Sequence, residues 1–166
     1  MWLGESPMKK SSIIFLKTVI VLIGIVAIAV MIRFPLTEGR AVNLDLLSIY
    51  SDPFIVYGYL ASIPFFVALY QTFKLLGYIR ENKVFSLSSV KALRNIKYCA
   101  IVMSILIVMA GLCISIFHAK DDDPAGFIAM CIVATFISIV IAITVTMLEG
   151  ILQKEINIKP ENNPTV

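Results

Sequence analysis

The sequence predicts an all-α membrane protein, a four-span antiparallel transmembrane helix bundle, on three observations. The chain of 166 residues is 59% hydrophobic and 15% charged, with a mean hydropathy of +0.92. Soluble domains hold about 45–50% apolar and about 25% charged residues. The excess is gathered into four apolar runs of about 20 residues, the helix length that crosses roughly 30 Å of hydrocarbon. The basic residues then fall mostly on one side of the alternating runs. No separate soluble domain is left once the four runs are placed.

Span one covers about residues 12–32, span two 54–76, span three 98–117 and span four 127–148. Residues 1–11 form an N-terminal segment, 12–152 the membrane domain and 153–166 a tail. Each span must be helical, because a segment in lipid has to satisfy its own backbone hydrogen bonds. The period-2 alternation of a membrane barrel is absent.

Orientation follows from Lys and Arg in the short loops. One side would hold Lys9, Lys10, Lys17, Lys74, Arg80, Lys83, Lys91, Arg94, Lys97, Lys154 and Lys159. The other would hold Arg33, Arg40 and Lys120, beside Glu38, Asp45, Asp52 and the run Asp121, Asp122, Asp123. Both termini and the loop between spans two and three are therefore expected in the cytoplasm. That loop carries six basic residues between Lys74 and Lys97 against one acid, Glu81. It offers no folded basic face with room for a duplex, so direct nucleic-acid binding is not expected.

Small residues recur four apart in Ala134, Ser138, Ala142 and Thr146 of span four. Gly111 and Ser115 repeat that spacing in span three, and Gly58 and Ser62 in span two. Such faces let membrane helices approach closely. They imply a tight bundle, with a homodimer seam as the alternative. Pro64 removes a backbone donor inside span two and is expected to kink it. Lys17 is placed to snorkel to the interface, and Glu149 ends span four; both read as boundary residues.

Chemistry is scarce. Cys99, Cys113 and Cys131 lack the close pairing of a metal or redox motif and read as small packing residues. The turn from His118 to Pro124 holds three aspartates, but Asp123 before Pro124 reads as a helix cap, and calcium-loop spacing is missing. No metal, cofactor or catalytic residue is expected, and no enzymatic activity: general acid–base work has no candidate near a site in the bilayer.

The loop itself predicts more structure. Span two is expected to continue as helix through Tyr78, Ile79 and Arg80, then to break at Asn82 and Lys83. Ser86 reads as an N-cap, and a new helix runs from Leu87 to Lys97 directly into span three. Leu87, Val90, Leu93 and Ile96 make one stripe, with Lys91, Arg94 and Lys97 beside it. This reads as an amphipathic basic helix on the anionic inner leaflet, each basic residue worth about 1 kcal/mol of attraction. Lys83, Phe85, Ser86, Lys91, Arg94 and Lys97 are the candidate contacts for lipid headgroups or a partner.

Several segments together carry a resemblance: Met8-Lys9-Lys10, Phe15-Leu16-Lys17, the run Ile63 to Gln71, Lys83-Val84-Phe85-Ser86, Val90-Lys91-Ala92-Leu93, the Asp-Asp-Asp-Pro turn and Ile156-Asn157-Ile158-Lys159. The chain from Met8 onward resembles a bacterial family of small membrane proteins catalogued as domain of unknown function 2975. The resemblance implies four spans in the bacterial cytoplasmic membrane and no established activity. It also implies a cytoplasmic helix-turn-helix regulator of the Cro/CI type as a frequent genomic neighbour. The leading expectation is an accessory or sensor protein that acts through its basic loop on such a regulator or on another membrane protein. The alternative is a small transport-related or peptide-immunity component.

Ala27-Ile28-Ala29 has the small-x-small form of a signal cleavage site, but the apolar run continues through Ile32, which favours an uncleaved anchor. The intact mass of the purified chain is expected to retain residues 12–30, whether translation starts at Met1 or Met8. A chain beginning at Val30 would overturn that.

Overall fold

A computed structural model describes residues 10–37, 52–117 and 125–158. Among them are four helices, α1 (Lys10–Thr37), α2 (Pro53–Arg80), α3 (Leu87–Phe117) and α4 (Ala125–Ile158). All four are long and apolar enough to cross a membrane. The segment from His118 to Pro124, with the cap expected at Asp123, lies outside the described residues.

Local chemistry explains the helix ends. Asp52 caps α2, accepting from Phe54 N–H at 2.8 Å, and Pro53 takes the first helical position. This is the Asp-Pro grammar noted at Asp123 and Pro124, overlooked at Asp52. α2 runs unbroken through Pro64 to Arg80. It closes with Asn82 at φ 57°, with Asn82 N–H donating to Ile79 O at 3.2 Å and Lys83 N–H to Tyr78 O at 2.9 Å. That pattern is a Schellman motif, and Asn is a residue that tolerates its left-handed position. α3 opens as expected on Ser86, whose Oγ accepts from Ser89 N–H at 3.3 Å. α4 has 34 residues, about 51 Å at 1.5 Å per residue. It exceeds the hydrocarbon thickness and carries on through 153–158, inside the segment assigned to the tail.

The helices pack in chain order: α1 on α2, α2 on α3, α3 on α4. The α3–α4 hairpin is the most extensive interface. Large apolar side chains point outward along the spans, among them Leu22, Ile105, Ile132 and Phe136. That suits lipid, where an apolar exterior costs nothing.

The best-buried cluster lies at the end of the bundle that carries the 81–86 turn. Val90, Leu93 and Ile96 of α3 meet Val145 and Leu152 of α4, with Leu75, Val84 and Ile156 packed against them. The stripe read as membrane-facing is therefore largely spent on α4. Leu87, its first member, stays 69% exposed.

The small-residue faces divide. Gly111 belongs to a close approach: a Cβ there would lie 3.5 Å from Cys131 Cβ. Gly58 does not, since a Cβ there would meet nothing within 4 Å. On α4, Ala134, Ser138 and Ala142 are half-buried, but Thr146 is exposed. Four residues advance a helix by more than one turn of 3.6, so the i+4 row drifts off the interface. Val145, Glu149 and Leu152 replace it.

Leu93→Ala should cost about 2–5 kcal/mol of stability, the range for a truncated core leucine. Ile132→Ala, on the outer face of α4, should stay within about 0.5 kcal/mol. Thermal unfolding in one detergent tests both.

Candidate functional site at the 81–86 turn

The turn is held by short polar links. Ser89 is fully buried, and its Oγ donates to Lys83 O at 3.0 Å. The same oxygen lies 3.2 Å from Ser86 Oγ. The first turn of α3 is thereby tied to the backbone that ends α2. A buried hydroxyl without such partners would cost stability. Lys83 pairs with Glu81 at 3.0 Å, but both side chains are mostly exposed and the pair contributes little.

One turn deeper, Glu149 gathers two of the basic residues. Arg94 Nε donates to Oε1 at 2.8 Å and Lys97 Nζ to Oε2 at 2.6 Å. The Glu149 side chain is 8% exposed, Lys97 21% and Arg94 47%. Lys97 Nζ also stands 5.5 Å from the centre of the Tyr98 ring. Glu149 lies one residue beyond the apolar run that ends at Leu148. Hydrogen bonds from Lys97, then from Arg94, hold its carboxyl below the ordinary carboxylate range, against the opposing effect of burial. Two donors from one helix to one acceptor on the next fix the α3–α4 register.

The six candidate residues therefore separate. Arg94 and Lys97 serve the fold first, because their charge is already paired. Ser86 is a cap. Lys83, Phe85 and Lys91 are exposed around the turn, with Phe85 48% exposed. Leu87 joins them on the surface. Lys17 comes to the same end of the bundle, its Nζ 4.7 Å from the centre of the Phe73 ring and close to Gly77.

Ser89 and the Glu149 pairing were missed in the sequence. A signal for the latter existed: Arg94 and Glu149 stand nearly equidistant from the 118–124 turn, so an antiparallel hairpin places them side by side. Among the described residues, no group of three or more His, Cys, Asp or Glu could hold a metal.

The family described as Protein of unknown function (DUF2975) matches residues 18–166. The chain belongs to that family. The DUF2975 match takes in the whole turn, its Ser86–Ser89 links and the Glu149 pairing. An uncharacterized membrane protein of Bacillus subtilis (strain 168), YoaS, is 43% identical over 161 residues, covering 96% of this chain and 100% of that protein. No solved structure matches.

Glu149→Gln should destabilise the fold by about 1–3 kcal/mol, because a hydrogen bond to a charged partner is lost and Lys97 is left half-buried without its counter-ion. Lys97→Met should cost more than Arg94→Gln, since Arg94 is the more solvated. A carboxylate depressed in the folded state contributes stability above its unfolded pKa and loses it as pH falls through the folded value. Acidification should therefore narrow the gap between the native chain and Glu149→Gln in a melting series.

Proposed function

We propose that this chain is a non-enzymatic accessory or regulatory protein of the bacterial cytoplasmic membrane, contacting a cytoplasmic partner through the 81–86 turn and the start of α3. The observation that carries the reading is the preorganised surface there. Lys83, Phe85, Leu87 and Lys91 are exposed on a frame locked by Ser89 and by Glu149. A rigid patch loses less freedom on binding than a loose loop does. Its charge and its aromatic and aliphatic side chains suit an acidic protein face with an apolar pocket. A helix-turn-helix regulator, or another membrane protein, is the partner class proposed.

The cytoplasmic placement of the turn and of both termini is part of the proposal. Its support is the Lys/Arg bias across the spans. In a background without Cys99, Cys113 and Cys131, Lys83→Cys should react with an impermeant reagent only after permeabilisation, and Asp122→Cys in intact cells.

Photocrosslinking from positions 83, 85 and 87 in cells should capture one protein partner that position 132 does not. The double variant Lys83→Glu/Lys91→Glu, crosslinked from positions 85 and 87, should lose that product while its insertion, read by labelling of Asp122→Cys, stays unchanged. Capture of the same partner by the charge-reversed chain, or of lipid alone, would sink the idea.

A further inference from the structure

At the opposite end of the bundle the four helices surround a cavity of about 360 Å³. Met31 of α1, Phe54 and Gly58 of α2, Ile107 of α3, and Met130 and Ala134 of α4 are among its walls. We propose that this cavity is a lipid site that takes one acyl chain of a bilayer phospholipid.

Four observations support that occupant. The first is chemistry. The lining is almost wholly apolar, and its two tyrosine hydroxyls have spent their protons on the backbone. Tyr57 donates to Leu106 O at 2.6 Å and Tyr59 to Met31 O at 2.9 Å. A polar solute or a peptide backbone would find almost nothing to pair with, whereas an alkyl chain needs no partner.

The second is access. α1 and α4 both line the cavity, yet packing runs in chain order. Among the described residues no interface like the other three returns α4 to α1. The cavity is partly open and not sealed by an extensive α1–α4 interface, which leaves a route for a chain from the bilayer.

The third is position. All the walls except Pro35 lie in spans, from the span ends at Met31, Phe54 and Phe127 inward to Ala61, Leu106 and Ala134. An apolar cavity stays dry and takes apolar molecules. Left empty, its lining would forfeit dispersion contacts. The fourth is size. At about 30 Å³ for each water-sized group, the space takes roughly a dozen, on the scale of the methylenes in an acyl tail. Gly58 borders open space, since a Cβ there would meet nothing within 4 Å.

The site does not depend on the docking surface at the other end, so each stands or falls alone. The test reconstitutes the full chain in phosphatidylethanolamine/phosphatidylglycerol bilayers with a trace of phospholipid carrying a photoreactive acyl chain. Peptide mapping should find the half-buried walls Ile107 and Ala134 labelled above exposed Ile132, which reports ordinary contact with surrounding lipid. Gly58→Phe, and independently Ala134→Phe, should abolish the cavity label while leaving that at Ile132. Equal labelling of cavity and outer face would overturn the proposal, as would labelling that survives both fillings in chains with native melting temperatures. A photoreactive free fatty acid, run in parallel, separates the two alkyl sources: cavity label from the fatty acid and none from the phospholipid would overturn it too.

Discussion

Water pulls apolar side chains together only where there is water to escape, and that constraint shapes the whole molecule. Within the bilayer, burying an isoleucine against another helix gains little over leaving it in lipid. The spans accordingly expose their large side chains and touch through smaller ones, as Gly111 does against Cys131. Beyond the hydrocarbon the ordinary hydrophobic effect returns. The best-buried cluster straddles that boundary, with Leu75 and Val145 still in the spans and Val90, Leu93, Ile96, Leu152 and Ile156 beyond them, and the Glu149 pairing beside it. One end of the protein is packed like a small soluble core, and the other is held by lipid-compatible contacts around an apolar space.

This division explains what the sequence revealed. Span number, helical state and the break at Asn82 were legible because each rests on local composition or on one residue's backbone preference. Ser86 was legible as a cap for the same reason. The fate of Arg94 and Lys97 was not, because a charge count says nothing about which charges are already paired. Glu149 looked like a boundary marker when α4 was read alone; it became a register pin once α3 lay beside it. The stripe of Val90, Leu93 and Ile96 was seen correctly as a stripe, but amphipathicity cannot distinguish a membrane surface from a neighbouring helix.

Gly58 and Gly111 show the same limit from another side. Both sat in small-residue pairs of identical spacing, yet one accepts a neighbour's side chain and the other faces empty space. Spacing records that a helix can be approached there. Whether it is approached depends on the partner helix and its tilt.

The chain-order packing of the four helices has a consequence for how such a protein is made. Each helix after α1 finds a packing partner in the one inserted just before it, so no segment has to wait in the bilayer for a distant one. Contacts of short sequence separation form quickly. Assembly can keep step with translation, and the most extensive interface, between α3 and α4, is completed last.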